Sequence, residues 1–214
     1  MREQTDDRTS RARQRIVQAA IHLYGEMGHK KTTVADIARS LAMSSANVYR
    51  FFPSRRAIEE AVVEEVLEET VSAAAEAACR SGPALRRLGT ILKAIADCNE
   101  GRPVKHRRLQ DLITLAVRQN WTVVLAYDDR IRGLVRPIIG TGQACGELQG
   151  GSPMALTCCL IEAMDVHLNP SRGGAATLRP SFDEMLSFCT RALRRMPSLE
   201  PAEMMAHVQL KAAG

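Results

Sequence analysis

Residues 31–58, KTTVADIARSLAMSSANVYRFFPSRRAI, decide how the rest of the chain is read. Two short apolar-periodic runs, VADIARSL and SSANVYRFF, are parted by a turn around LAMS and closed by a proline. Thr33 stands where an N-cap hydroxyl is wanted, and Asp36 falls in the first turn, where a carboxylate suits the helix dipole. Three- and four-residue spacing turns Val34, Ile37, Ala38 and Leu41 inward. In the second run Val48 and Phe52 are four apart and share an inward face. That leaves Ser45, Asn47 and Arg50 pointing outward, with Ala46 and Tyr49 beside them. Pro53 stops this helix, because the residue before a proline avoids helical dihedrals, and Ser54 caps the next one.

Two short helices about a tight turn in basic surroundings form a helix-turn-helix, whose second helix must offer small and polar side chains to base edges. Asn47 suits adenine, Arg50 suits guanine, and serine pairs with either. Tyr49, the Thr33 hydroxyl and the Arg55/Arg56 pair suit phosphate oxygens, which position a module without reading sequence. The chain has Trp 1, Tyr 3 and Phe 4, yet Tyr49, Phe51 and Phe52 fall together, interleaved with Arg50, Arg55 and Arg56. Phe52 is expected to anchor the helix to a small core, and Phe51 to border the phosphate surface. The plainer alternative makes all three rings core and the arginines solvated. Charge favours DNA: residues 1–56 carry 11 Lys/Arg against 5 Asp/Glu, a net +6. The remaining 18 basic and 19 acidic residues leave −1 over 57–214.

The stretch TTVADIARSLAMSSANVYRFFPSRRAIEEAV resembles the DNA-binding head of the tetracycline-repressor (TetR) family. Thr33, Asp36, Ile37, Ala38, Ser44, Tyr49, Phe52 and Ser54 fall on the family pattern, with Arg55 in place of the usual Lys and Ile58 in place of the usual Leu. The likeness covers about residues 10–62, and GELQGGSP further on resembles the family's usual helix break. Two glycines of the pattern are replaced, by Ala42 in the turn and by Ala46 in the second helix. A left-handed Ala42 would cost on the order of 1 kcal/mol. The Ala46 methyl can meet a thymine methyl or crowd a phosphate.

The resemblance implies an all-α fold with a DNA-binding head at 1–56 and an effector-binding, dimer-forming body at 57–214. It also implies a sequence-specific transcriptional regulator, usually a repressor, that binds a palindromic operator as a homodimer and is released by a small molecule. On that reading the DNA-contacting set is Thr33, Ser44, Ser45, Ala46, Asn47, Tyr49, Arg50, Phe51, Arg55 and Arg56. The competing reading is a non-specific architectural DNA binder, which would spread its basic residues over a broad surface.

The remaining sequence reads as helix nearly throughout, about nine helices in all, with no sustained strand alternation and no internal repeat. RARQRIVQAAIHLYGEMGHK ends at Gly28 as a left-handed cap, and the long helix after Ser54 turns Ile58, Val62, Val66 and Leu67 inward and ends near SGP. PALRRLGTILKAIADCNEG and VKHRRLQDLITLAVRQN follow, then WTVVLAYDDRIRGLVRPIIGTGQACG, read as one helix kinked at Pro137 or as two. SPMALTCCLIEAMDVHL and PSFDEMLSFCTRALRRM close the body around the loop NPSRGGAATLR, and the tail past Pro197 is weakly helical. These last two long helices offer apolar surface beyond one inward stripe at Ala155, Cys159, Ala163 and Met164, and at Met185, Phe188, Cys189 and Leu193. They are the candidate dimer surface, the alternative being that they complete the protomer core.

Effector contacts are expected between about Val63 and Gln143, from Asp111, Thr114, Leu115, Arg118, Trp121 and Tyr127. A region poor in rings favours a flexible apolar ligand over a stacked planar one. No apolar run approaches 18 residues and no secretory signal is evident, so a cytoplasmic protein without a membrane span is expected. The six cysteines show no C-x-x-C or zinc spacing and are expected to be buried small hydrophobes. Neither His106 nor His167 has a second ligand four residues on, and the Gly140/Gly142/Gly146 run misses the dinucleotide spacing. No metal, cofactor or enzymatic activity is therefore expected.

Overall fold

The computed structural model describes residues 2–105, 108–169 and 179–195. Among these the chain forms nine α-helices: α1 (Arg2–Met27), α2 (Val34–Ser40), α3 (Ser45–Phe51), α4 (Arg55–Ala78), α5 (Ala84–Lys105), α6 (Leu109–Arg118), α7 (Thr122–Ala144), α8 (Pro153–Leu168) and α9 (Phe182–Leu193). The only extended pairing among the described residues is an isolated bridge between Leu148 and Arg194. His106, Met196, the tail past Pro197 and most of the loop before α9 lie outside the described residues.

Local chemistry sets the boundaries. Thr33 caps α2 in a full capping box: its Oγ1 accepts from the Asp36 N–H at 3.2 Å, and the Asp36 carboxylate takes the Thr33 N–H at 2.9 Å. Gly28 is left-handed at φ 87°, as the end of α1 requires. Ser44 and Ser54 accept from the N–H groups of Asn47 and Ala57 and start α3 and α4. α1 begins earlier than the sequence reading placed it, and α6 later. α7 resolves the open choice at Pro137 as one helix. Pro137 and Gly133 are both exposed there, so the Gly133 carbonyl, which loses its i+4 donor, remains within reach of water.

In the head, Ile16, Ala20 and Tyr24 of α1 pack with Val34, Ile37 and Ala38 of α2, Val48 of α3 and Phe52, all buried. Ile58 of α4 joins them. α4 then runs on into the body, so the expected boundary between residues 56 and 57 falls inside its first turn. The body core is made mainly by α4, α5 and α7, with Leu88, Ile91, Leu92, Ile95, Val135, Ile138 and Ile139 buried. α7 reaches α5 closely because residue 142 is glycine: a Cβ there would lie 2.6 Å from the Ala84 Cβ and 2.7 Å from Leu148 Cδ1. The glycines that superficially suggest a nucleotide loop thus include one that serves helix packing. Glu147 secures the same corner by accepting the N–H groups of Ala84 and Leu85 at 2.6 and 2.9 Å, capping α5 from a distant stretch of chain.

Head and body meet in a polar seam. Gln14 and Gln18 of α1 donate to Glu65 of α4 at 2.8 and 3.0 Å. Arg55 donates to the His29 carbonyl and to Glu59 at 2.9 Å. The Arg56 guanidinium stacks on the Trp121 ring, 3.1 Å from its centroid. Trp121 is buried between α6 and α7, after Asn120 in a left-handed conformation at φ 49°.

Candidate nucleic-acid interface

α3 has only seven residues, and its placement depends on both flanks. Val48 and Phe52 hold its inner side in the head core, while Ala46, Tyr49 and Arg50 are exposed and Ser45 and Asn47 are half-buried. Ser44 is exposed and accepts from Asn47 N, which leaves its hydroxyl proton free to donate outward. Phe51 is half-buried and packs against the core. Ala42 does take the left-handed conformation, at φ 53°, which lets Met43 N reach the Ala38 carbonyl at 2.9 Å and closes the α2–α3 turn.

One residue that orients α3 is absent from the expected set. Arg13 donates to the Phe51 carbonyl, the exposed end of α3, and lies over the Phe52 ring at 4.2 Å. Its signal in the sequence is its position three residues before Ile16, on the stripe of α1 that continues into the core.

Three expected phosphate contacts are already engaged inside the molecule. The Thr33 hydroxyl donates to Asp36 at 2.7 Å, and this bond leads the causes that hold the Asp36 carboxyl below its usual range. Arg55 and Arg56 are engaged at the seam with His29, Glu59, Glu60 and Trp121. Sequence spacing could not reveal this, since Trp121 reaches Arg56 only through the packing of α6 on α4.

The expected effector residues do not converge. Asp111 and Arg118 are exposed, Thr114 and Leu115 are half-buried, and Trp121 is covered by Arg56. Tyr127 borders a cavity of about 260 Å³ between α4 and α7, with Leu67, Val71, Val123 and Ala126. Glu68 and Arg130 close its edge in a two-pronged ion pair, one prong 2.8 Å, which holds the Glu68 carboxyl below its usual range. A larger groove of about 710 Å³ lies where α9 crosses α4 and α5, near Ala77, Leu85, Lys93, Phe182 and Leu186, and none of the expected contacts reaches it.

The candidate dimer set divides. Ala155, Cys159 and Ala163 are exposed along α8, and Phe188 is 63% exposed on α9, with Met154 and Val166 also uncovered nearby in α8. Met185 is half-buried. Met164, Cys189 and Leu193 are corrected to core positions, because the inward stripe of each helix is wide enough to include them. Burial also raises the Cys189 thiol pKa. The expectation of buried cysteines holds for Cys189, whereas Cys79, Cys145 and Cys159 are exposed. Among the described residues no helix is long and apolar enough to cross a membrane, and no cluster of three or more His, Cys, Asp or Glu side chains is placed to hold a metal ion.

The family model for bacterial regulatory proteins of the tetR family matches residues 16–62, the helices just described as the head with the start of α4. The nucleoid occlusion factor SlmA of Haemophilus influenzae (strain PittGG) is 29% identical over 92 residues, 42% of this chain and 42% of its own length. This chain thus spans well under two thirds of that relative. A transcriptional regulator of the TetR/AcrR family from Thermobifida fusca YX-ER1 has a similar fold, with TM-score 0.61 and 22% identity over 84% of this chain and 94% of its own. The TetR family regulator PfmR from Thermus thermophilus aligns with TM-score 0.55 and 19% identity, over 85% of this chain and 98% of its own. Residues 16–62 thus match the model of tetR-family bacterial regulatory proteins, and the fold over most of the chain is similar to that of these two solved regulators.

Proposed function

We propose that the protein is a sequence-specific, double-stranded-DNA-binding transcriptional regulator of the cytoplasm, a repressor that works as a homodimer. The observation that carries this reading is the outer face of α3, where Ala46, Tyr49 and Arg50 are exposed and Ser45 and Asn47 half-buried, while Val48 and Phe52 fix the helix from behind. Asn47 and Arg50 are the base readers, and Ser44, Tyr49 and the edge of Phe51 meet the backbone. One seven-residue helix reads few base pairs, so two heads about 34–36 Å apart read a palindrome in successive grooves. The uncovered faces of α8 and α9 join the protomers.

Release by an effector fits the cavity between α4 and α7. At about 260 Å³ it lies just below the ~300 Å³ at which ligand pockets usually begin, so a small, largely apolar ligand enters by parting the two helices. α4 also carries Arg55 and Arg56, and its displacement moves the head and alters the spacing between the two recognition helices.

The test is selection of bound duplexes from a random DNA pool by purified protein, followed by sequencing. A two-fold palindrome is the expected result. Binding without enrichment, with equal affinity for any duplex, would replace this reading with the architectural one.

A further inference from the structure

We propose that residues 196–214 occupy the groove where α9 crosses α4 and α5, as a strap that the chain lays over its own body.

The groove, about 710 Å³, follows α5 from Leu85 to Asp97, a length of about 18 Å at the helical rise. Its floor is apolar, with Ala73 and Ala77 of α4, Ala94 of α5, and Phe182 and Leu186 of α9. Its two ends differ in charge. Arg80 and Arg86 stand at the Leu85 end, both exposed, and neither has a hydrogen-bond or carboxylate partner among the described side chains. Asp97 and Asp183 stand at the other end, where Lys93 pairs with Asp97 at 2.5 Å. Glu76 lies between them on α4 and forms no ion pair with Arg80 among the described residues.

The chain arrives at the positive end. Arg195 is the last described residue, and its N–H donates to the Glu147 carbonyl at 3.1 Å. The carboxylate of the same Glu147 takes the Leu85 N–H at 2.9 Å. Arg195 is therefore one side chain away from the first turn of α5, where the groove begins.

Residues 196–214, MPSLEPAEMMAHVQLKAAG, lie outside the described residues, and their sequence suits the groove in order, length and charge. Residues 196–201 can reach up to about 20 Å, enough to turn from Arg195 into the groove. Pro201 suits the first position of a helix, and helical spacing over 202–213 covers about 18 Å. On that spacing Met204, Met205, Val208 and Ala212 share one face, and thioether side chains fit an irregular apolar floor. Glu200 and Glu203 come first, at the end that holds Arg80 and Arg86. Lys211 comes last, at the end that holds Asp97 and Asp183. Running the segment in the opposite direction would set like charges together at both ends. Seated this way, the strap holds α9 against α5.

The experiment is hydrogen–deuterium exchange of the full chain at several protein concentrations, read by mass spectrometry. A synthetic peptide of residues 196–214 serves as the undocked reference. Amides of 204–212 should exchange roughly tenfold or more slowly in the chain than in the peptide, to the same degree at every concentration. R80E/R86E should return that exchange close to the peptide rate, and E200R/E203R added to it should restore protection, since the charges are then exchanged across the contact. Both arginines are exposed, so the circular dichroism of R80E/R86E should match the parent. Exchange at the peptide rate in the parent chain would overturn the inference. Protection that persists in R80E/R86E would overturn it by placing the segment on another surface. Protection that falls on dilution would overturn it by placing the segment on a second copy.

Discussion

Ala42 shows how one side chain can be at odds with its place in a fold. Its φ of 53° costs an L-residue with a Cβ about 1 kcal/mol or more, and the turn accepts this because Met43 N then reaches the Ala38 carbonyl. Ala42→Gly removes the strain but makes the unfolded chain more flexible. The expected net is a gain of roughly 0.5 kcal/mol and a rise of ~1–2 °C in melting temperature, read by thermal denaturation. A lower melting temperature would mean that the alanine methyl makes a compensating contact. Asn47 poses the opposite question, since its backbone N–H is fixed by Ser44 while its side chain is half-buried on the outer face of α3. Asn47→Ala should cost ~1–3 kcal/mol of operator affinity and relax preference at one base position, with melting unchanged. Unchanged preference in a binding assay against single-base variants would remove Asn47 from the reading set. Residues of this kind were legible in the sequence. Thr33, Gly28, Ser54 and Pro53 act through dihedrals and hydrogen bonds within a few positions, and a short window contains all that they need.

The elements that join head to body were not legible, because they depend on which helices become neighbours. Arg55 and Arg56 look like phosphate ligands until α6 and the turn before α7 bring Trp121 beneath Arg56. The effector residues fail for a similar reason. Periodicity tells which side of α6 faces inward, as Leu109, Leu112, Ile113 and Ala116 do, but not where two helix axes diverge enough to leave a cavity. Trp121 is the only tryptophan and reports directly on the seam. Arg56→Ala should lower stability by about 0.5–1 kcal/mol and make Trp121 fluorescence more readily quenched by iodide. Unaltered quenching would show that the ring is covered by other groups. The seam also contains His29, which is buried beside Tyr24 and faces Glu59 and Arg55 of α4, Lys30, and Asp111 of α6. Burial leads the causes that lower its pKa below the usual value of about 6.5, outweighing Glu59 and Asp111, which raise it. The unfolded chain therefore binds the His29 proton more readily than the folded one does. Its contribution to stability is complete above about pH 6.5 and is lost as pH falls from there through the lower folded value. Denaturant midpoints measured from about pH 7 to about pH 5 should fall, and His29→Gln should flatten that slope. An equal slope in the variant would assign the loss to other groups.

At the scale of the whole molecule, large apolar side chains on α8 and α9 stay uncovered among the described residues. Met154 is 45% exposed, Val166 40% and Phe188 63%, on two helices whose opposite sides hold Leu160, Met164, Cys189 and Leu193 in the core. A phenylalanine so exposed is costly alone, and aromatic anchors of this kind commonly occupy the buried centre of an interface. Dimerisation also has a geometric role in the proposed function. Two heads on one rigid frame bind a palindrome with an effective concentration that a free head lacks, so operator affinity should depend on a face far from the DNA. Phe188→Glu places a charge at the centre of that face while leaving the protomer core untouched. Sedimentation should show a dimer in the parent and a monomer in the variant at the same concentration, with matching circular dichroism. Binding to the full palindrome should fall by roughly tenfold or more, while binding to a half-site duplex stays the same. If the variant remained dimeric, the contact would lie on another face. If it became monomeric with palindrome affinity intact, each head would act alone, and the spacing mechanism for effector release would fail with it.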